Sequence, residues 1–268
     1  MLNTIGFLGC GNMGGAIARA VCKAADPQNV WLANRTAAKA EALAAELGCS
    51  TTINDEVAGR CDLIFLAVKP QMMEELLAPL RFTLAERPSR FVLCSMAAGL
   101  SIARIQEMAG SDCPVIRIMP NTPASVGAGM IQYCTSNVTA EEEAEFLNLM
   151  APAGRLDAVP EGLIDAASCV SGCGPAWVYQ FIEALADGGV ACGLPRAKAQ
   201  EYAAQMVLGS AKLVLESGQH PGALKDAVCS PGGSTIQGVR VLEEKGLRGA
   251  VMDAVIASYN KTKEMGKG

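Results

Sequence analysis

A glycine-rich turn near the start of the chain constrains its fold more than any other stretch. Residues 9–14 read Gly-Cys-Gly-Asn-Met-Gly, after a short apolar run and before an alanine-rich pattern with helical spacing. In that position, glycines at the first, third and sixth places predict a dinucleotide-binding βαβ unit. Gly9 permits the tight turn, Gly11 lets the backbone approach a pyrophosphate, and Gly14 lets the helix pack close to the strand.

The helix that begins in this turn presents its free N–H groups and the positive end of its dipole to the phosphates. The alternative is a glycine-rich turn that binds no ligand. We expect five residues of the turn to bind a dinucleotide: Gly9, Gly11, Asn12, Met13 and Gly14.

The end of the second predicted strand, residues 30–33, indicates which dinucleotide binds. Sites that prefer NAD usually carry Asp or Glu about 20 residues past the glycines, where the carboxylate bonds the ribose 2′-hydroxyl. Here that position holds Asn34, followed by Arg35 and Thr36. A neutral amide beside a guanidinium accommodates a 2′-phosphate, which a carboxylate would repel. The sequence therefore predicts NADPH, with NADH as the alternative donor; otherwise Arg35 is an ordinary surface arginine.

Apolar runs at residues 62–68, 91–95 and 115–119 alternate with helical patterns, which is typical of a doubly wound α/β domain. Ligands of such sheets bind outside the carboxyl ends of the strands. Asn54 is equally consistent with a helix N-cap. We expect the residues at those ends to border the cofactor: Asn54, Ala67, Val68, Lys69, Pro70 and Ala97.

The pattern changes near Pro160. From Glu161 onward, apolar residues recur at helical spacing and no convincing strand is present. We predict a Rossmann-like α/β domain over residues 1–160 and an all-helical domain over residues 161–268. The helix that Pro195 opens is apolar on nearly its whole circumference, which predicts that a second subunit covers it. The alternative is a self-contained helical core.

Two stretches interrupt the helical patterns. Residues 171–175, Ser-Gly-Cys-Gly-Pro, predict a break or kink, because Gly and Pro cost about 1 and 3 kcal/mol inside a helix. Residues 230–235, Ser-Pro-Gly-Gly-Ser-Thr, predict a helix start with Ser230 as N-cap and Pro231 as the first helical residue. Helix formation does not explain the two glycines that follow. Their bare backbone suits either a substrate carboxylate or a closely packed second helix.

Composition excludes several classes of function. The net charge is −5 with no basic block, which argues against nucleic acids and anionic membranes as partners. No apolar run reaches the roughly 18 residues of a membrane span, and the first residues do not resemble a signal peptide. Eleven cysteines scattered singly predict reduced thiols and a cytoplasmic location, and the isolated His220 argues against a metal site.

Several blocks together resemble the pyrroline-5-carboxylate reductases, over essentially the whole chain. The block most specific to that family is residues 230–235, followed by Leu242 and Glu243. Cys173 stands where serine is common in the family, and Ser234 varies among its members. The other matching blocks, of which the first is shared by many dehydrogenases, are residues 9–14, 67–71, 119–123, 171–175 and 220–226.

The resemblance implies a reaction and a substrate site. Members of the family reduce L-1-pyrroline-5-carboxylate to L-proline with NAD(P)H. They join a Rossmann-like domain to an all-helical domain that dimerises, and some assemble further into pentamers of dimers. By resemblance, the main-chain amides of Ser234 and Thr235 hold the substrate carboxylate, and the Thr235 hydroxyl is the catalytic group that meets the ring nitrogen. The residues so implied to bind the substrate are Glu161, Ser230, Gly232, Gly233, Ser234 and Thr235.

The residue inventory suits this chemistry, because hydride transfer to a protonated cyclic imine needs positioning more than a metal or a strong acid. The alternative to a catalytic role is that the Thr235 hydroxyl only forms a hydrogen bond within its own helix. Three other functions are alternatives: a related NADP-dependent imine reductase, a β-hydroxyacid dehydrogenase, and a non-catalytic NADP(H)-sensing protein. The dehydrogenases use a lysine early in the helical domain, and none occurs between Glu161 and Pro195. A sensor would need the glycine turn but not residues 230–235.

Overall fold

The computed structural model describes residues 2–265, and within them eight strands form one sheet. The spatial order is β3-β2-β1-β4-β5-β6-β7-β8, and neighbours are parallel except for the antiparallel pair β6 and β7. The predicted doubly wound α/β architecture is confirmed, and its order reverses between β1 and β4, where ligands of such sheets bind. The strands are β1 (Ile5–Leu8), β2 (Val30–Ala33), β3 (Ser50–Thr51), β4 (Leu63–Leu66), β5 (Val92–Ser95), β6 (Val115–Met119), β7 (Gly129–Ser136) and β8 (Gly154–Ala158).

The central strands β1 and β4 are apolar throughout because both of their faces are covered. In β4, Leu63 and Phe65 belong to one hydrophobic cluster, whereas Ile64 and Leu66 belong to another. This division follows from the alternation of side chains along a strand. The helices connected to the sheet are α1 (Asn12–Val21), α2 (Ala37–Leu47), α3 (Asn54–Arg60), α4 (Met73–Leu77), α5 (Arg81–Ala85), α6 (Ile102–Ala109), α7 (Ala140–Met150) and α8 (Glu161–Ser171).

Local predictions hold with small differences at element ends. Thr139 followed three residues later by Glu142 predicts a capping box, and these residues form one at the start of α7. Residues 51–53 suggest a short third strand in the sequence, but β3 ends at Thr51 because α3 already begins at Asn54. Asn54 is the first helical residue, so the alternative that it is an N-cap is wrong. Thr36 does precede α2 as its N-cap, although its side chain makes no capping hydrogen bond.

The remaining helices follow β8 without a further strand up to residue 265, as predicted. The break expected at residues 171–175 is present, because α8 ends at Ser171 and α9 begins at Gly174. Pro195 is the N-cap of α10, not its first residue, since its ψ of 137° is outside the helical range. These helices are α9 (Gly174–Ala191), α10 (Arg196–Ser217), α11 (Pro221–Ala227), α12 (Ser234–Glu244) and α13 (Leu247–Met265).

Contacts divide the chain into a sheet unit, residues 2–173 with 258–265, and a helical unit, residues 174–257. The predicted boundary after residue 160 stays a prediction, since α8 lies beyond it in sequence and packs against β7 of the sheet unit. No helix within residues 2–265 is long and apolar enough to cross a membrane.

The helical unit leaves much apolar surface uncovered in a single chain. Helices α9 and α10 pack on each other, yet α10 buries only Ala199 and Ala203. A continuous exposed apolar surface on two packed helices is typical of an interface between subunits. It therefore favours a second subunit over a self-contained helical core. Large apolar side chains left exposed on α9 and α10 are Val178, Tyr179, Phe181, Leu185, Tyr202, Met206, Leu208, Leu213 and Leu215.

Candidate functional site

The glycine turn has the geometry that its sequence predicts. Gly9 has φ +114°, and a Cβ there would lie 2.5 Å from the Ala67 carbonyl oxygen. A Cβ on Gly14 would lie 2.8 Å from the Ala67 Cβ and would overlap the Gly9 carbonyl oxygen. Gly9 and Gly14 are therefore glycines because the turn, the strand and the helix approach closely. A Cβ on Gly11 would meet no described atom within 4 Å, so bare backbone at Gly11 faces open space.

Helix α1 begins at this open point with the properties of an anion site. Its N-cap is Gly11, which has no side chain to satisfy the first N–H groups, and no acidic residue lies in the first turn. Burial raises the pKa of the neighbouring Cys10 thiol to about 11, with a smaller contribution from Cys49. The thiol therefore stays neutral and adds no negative charge beside a bound pyrophosphate.

Asn34 connects the end of β2 to the glycine turn. Its Oδ1 accepts a hydrogen bond from the Cys10 backbone N–H at 3.0 Å, and its Nδ2 donates to the Thr36 carbonyl at 2.9 Å. Both ends of the amide are thus engaged within the chain. Asn34 holds the turn and the start of α2 together, and so positions Arg35 and Thr36.

A cavity of about 590 Å³ brings most of the predicted cofactor residues together. Arg35 and Lys39 lie on its wall, and neither makes an ion pair within residues 2–265. Lys39 was not predicted from the sequence; its signal is its place in the first turn of α2, close after Arg35. Two unpaired cations at the end of β2 suit a phosphate. The predicted residues that line the cavity are Gly9, Gly11, Asn34, Arg35, Thr36, Asn54, Ala67, Val68 and Lys69.

Five predicted cofactor residues lie outside that lining. Asn12, Met13 and Gly14 form the first turn of α1, directly after Gly11. Pro70 begins a short 3-10 helix after Lys69. Ala97 is buried in the loop that follows β5. Their contacts with a cofactor stay predictions.

In the helical unit, residues 230–233 form a turn, not the start of a helix. The Gly233 N–H donates to the Ser230 carbonyl at 3.0 Å, and Gly232 has φ +69°. Proline second and glycine third are the residues that a type II turn favours. The predictions of Ser230 as N-cap and Pro231 as first helical residue are therefore wrong, because both residues belong to a Pro-Gly turn that precedes the helix. The turn therefore explains Gly232 by its positive φ, whereas a Cβ on Gly233 would lie 3.2 Å from the Ser230 carbonyl oxygen and would displace the Ser230 hydroxyl.

Helix α12 begins at Ser234, with Gly233 as its N-cap. Since Gly233 has no side chain and the first turn has no acidic residue, the first N–H groups of the helix are open to an anion. Thr235 is exposed, and its hydroxyl makes no hydrogen bond within residues 2–265. The alternative in which this hydroxyl bonds back into its own helix is therefore wrong. No described atom lies within 4 Å of a Cβ on Gly232, so no second helix of the same chain packs there.

Glu161 lies in the sheet unit and is already engaged. Its Oε1 accepts from the Ile102 backbone N–H at 2.6 Å, at the start of α6, and lies 3.4 Å from Arg117 Nη1. Arg117 is 3% exposed, and its Nη2 donates to Asp165 Oδ1 at 2.5 Å. Glu161 thus fastens α8 to α6 and β6; its predicted contact with substrate stays a prediction. Within residues 2–265, no group of three His, Cys, Asp or Glu side chains is arranged to hold a metal ion.

Two family models match the chain, one in each half. The model described as pyrroline-5-carboxylate reductase dimerisation matches residues 161–265, so it contains the turn and the α12 N-terminus. The model described as NADP oxidoreductase, coenzyme F420-dependent, matches residues 4–99, so it contains the glycine turn and the cavity cations.

Known pyrroline-5-carboxylate reductases are similar to this chain over its full length. Pyrroline-5-carboxylate reductase of Escherichia coli K12 is 43% identical, with all of both chains covered. The crystal structure of Plasmodium falciparum pyrroline carboxylate reductase with NADP bound has a TM-score of 0.88, with 34% identity and 99% of each chain covered. An imine reductase from Myxococcus stipitatus, at 20% identity and TM-score 0.56, shares the fold alone.

Proposed function

This chain belongs to the pyrroline-5-carboxylate reductase family, and from that premise we propose how its residues bind the two reactants. The chain reduces L-1-pyrroline-5-carboxylate to L-proline, the final step of proline biosynthesis, with NAD(P)H as the donor. When bound, the nicotinamide supplies the hydride that adds to the C=N carbon of the imine. The chain contributes binding, orientation and a hydrogen bond at the ring nitrogen.

The cofactor is proposed to bind with its pyrophosphate at the N-terminus of α1. Open backbone at Gly11 and a first turn without acidic residues support this placement. Arg35 and Lys39 are proposed to bind the 2′-phosphate of NADPH, with Thr36 beside them. Their lack of any carboxylate partner within residues 2–265 supports this, because a desolvated phosphate binds such cations by charge-assisted hydrogen bonds.

The substrate carboxylate is proposed to bind at the N-terminus of α12, and the observation that carries this proposal is the lack of a side-chain cap there. The main-chain N–H groups of Ser234 and Thr235 lack a capping side chain, and a carboxylate satisfies them. No side chain of the preceding turn, which contains Ser230, Gly232 and Gly233, makes a capping hydrogen bond to this end. Glu161 is proposed to border the substrate while it holds α6.

The Thr235 hydroxyl is proposed as the catalytic group. It lies next to the carboxylate site and has no intrachain partner, so it is free to hydrogen-bond the ring nitrogen. A five-membered ring fixes the distance between its carboxylate and its nitrogen. One helix end can therefore hold both, and orientation supplies much of the rate. The hydroxyl exchanges donor and acceptor roles as the nitrogen changes charge.

The chain forms a homo-oligomer, as its dimerisation family model indicates. A dimer is the proposed unit, in which the exposed apolar faces of α9 and α10 are covered by those of a second copy. A pentamer of such dimers is the further assembly that the family resemblance implies. The cytoplasm is the proposed location, supported by eleven cysteines of which none is paired in a disulfide.

Variants of Thr235 test the substrate site. T235A removes the hydroxyl and keeps the main-chain amide, so kcat should fall by about a hundredfold while the Kd for NADPH is unchanged. T235S restores a hydroxyl and should recover most of the rate. S210A, which removes a hydroxyl elsewhere in the helical unit, is the control. If T235A turns over like wild type, the hydroxyl is not catalytic.

A further inference from the structure

His220 caps the N-terminus of α11 with its imidazole ring. Its Nδ1 accepts a hydrogen bond from the Gly222 backbone N–H at 3.0 Å. The backbone at His220 is extended, with φ −61° and ψ 132°, as an N-cap requires. A nitrogen that accepts carries no proton, so this geometry needs a neutral ring with its proton on Nε2.

The next two residues are adapted to this cap. Pro221 is the first residue of α11, where its missing N–H leaves nothing unsatisfied. A Cβ on Gly222 would lie 2.9 Å from His220 Nδ1 and 3.2 Å from its Cε1. A side chain at residue 222 would therefore force the ring to shift, whereas glycine leaves the ring room beside the N–H. His-Pro-Gly at residues 220–222 acts as one capping device.

Helix α11 leads directly into the substrate turn. The helix is seven residues long, and a helix that short depends on its caps. At its other end, the Val228 N–H donates to the Lys225 carbonyl and the Cys229 N–H donates to the Asp226 carbonyl. Ser230, the first residue of the turn, follows at once. The cap at one end of α11 thus stabilises the segment that places the turn at the other.

The two charged side chains of α11, Lys225 and Asp226, pair with each other, and among the described residues the ring of His220 makes only the cap. The ring's hydrogen bond within residues 2–265 is the one to Gly222. A proton on Nδ1 would remove that acceptor and place a cation at the positive end of a helix. The helices before and after α11 in sequence contain the ion pairs Lys212 with Glu216, on α10, and Glu243 with Arg248, between α12 and α13.

We propose that neutral His220 is a positioning residue for residues 230–235, so that protonation of its ring weakens substrate binding and leaves NADPH binding unchanged. The dependence on substrate presumes that residues 230–235 bind it, as proposed above. The ring contacts no reactant; it acts through α11 and the turn.

Nuclear magnetic resonance of the imidazole nitrogens tests the cap itself. His220 is the single histidine of the chain, so the full-length, tag-free protein gives one set of ring signals. At about pH 8, above the range in which histidines usually titrate, Nε2 should carry the proton and Nδ1 should show the shift of an acceptor. A ring with its proton on Nδ1 at that pH would overturn the proposal.

Kinetics of H220N and H220A test the consequence. Asparagine is a good N-cap that does not titrate, so H220N should keep the wild-type KM for pyrroline-5-carboxylate at about pH 8. At about pH 5.5 the wild-type KM should exceed that of H220N by about fivefold, with equal Kd values for NADPH. H220A should have the raised KM at both pH values. Protonation of the substrate affects every variant alike and cancels in the comparison.

T139A, which removes a side-chain cap from α7 in the sheet unit, is the matched control and should leave the substrate KM unchanged. Identical pH dependence in wild type and H220N would overturn the proposal, as would a wild-type KM in H220A. Failure of the substrate site has a different signature. T235A would then turn over like wild type, whereas the ring tautomer would still report whether His220 caps α11.

Discussion

Arg117 Nη2 lies 2.5 Å from Asp165 Oδ1, and this pair fastens α8 to strand β6 in the interior of the sheet unit. The guanidinium is 3% exposed, the Asp165 carboxylate is 14% exposed, and Arg117 Nε has no hydrogen-bond partner in the described chain. Removing one member of a buried pair leaves the other charge without compensation. The pair therefore matters more to stability than the exposed ion pairs of the helical unit do.

D165A should lower the free energy of unfolding by about 3 to 5 kcal/mol, because Arg117 would keep only its longer contact with Glu161. D187A breaks an exposed pair with Arg196 and should cost less than about 1 kcal/mol. Chemical denaturation of both variants measures the difference. Equal losses would show that burial does not set the strength of the Arg117 pair.

Three alanine variants of the glycine turn should separate folding from cofactor binding. G14A should destabilise the protein, because its Cβ would overlap the Gly9 carbonyl. G9A should do the same, since alanine rarely adopts φ +114°. G11A has open space at its Cβ, so its stability should stay within about 0.5 kcal/mol of wild type while the Kd for NADPH rises. A G11A protein with wild-type affinity would place the pyrophosphate elsewhere.

R35A and K39A should weaken the use of NADPH and leave the use of NADH nearly unchanged. Each removes a cation from the cavity at the end of β2, and a charge-assisted contact contributes about 1.5 to 3 kcal/mol. The KM for NADPH should therefore rise about tenfold or more in each variant, with little change for NADH. K23A, an exposed lysine of the sheet unit, is the control. Equal effects on both cofactors would reject binding of the 2′-phosphate by these residues.

L213E should weaken the homo-oligomer. Leu213 is 53% exposed in a single chain and lies on α10, whose apolar surface is proposed to meet a second copy. A buried carboxylate without a partner opposes association, so analytical ultracentrifugation should show a smaller species at low micromolar concentration. F82S replaces an exposed aromatic of the sheet unit and should leave the assembly unchanged. An oligomer of normal strength in L213E would place the interface on another surface.

Local patterns were sufficient to predict the sheet and the glycine turn. The apolar run in β4 indicates a strand buried on both faces, and the roles of Gly9 and Gly14 follow from a known spacing. Residues 230–233 predict a helix start but form a turn, because Ser-Pro is typical of helix starts and the overlapping Pro-Gly is typical of turns. The helix N-terminus that is proposed to bind the substrate carboxylate therefore lies three residues later in the sequence than predicted.

Interactions between distant residues were beyond such patterns. Arg117 and Asp165 are 48 residues apart, and nothing in either neighbourhood identifies the other. Lys39 joins Arg35 at the cavity only because α2 begins where it does. The sequence does not identify His220 as a cap, because a cap made by an imidazole depends on the space that Gly222 leaves at the ring.

The reaction itself is the most direct test of the account. Purified protein mixed with NADPH and pyrroline-5-carboxylate should consume NADPH and form proline in equal amounts. A small β-hydroxyacid with NADP⁺, and an acyclic imine with NADPH, should give rates lower by at least about a hundredfold. No turnover of pyrroline-5-carboxylate, or faster turnover of the hydroxyacid, would contradict the proposed function.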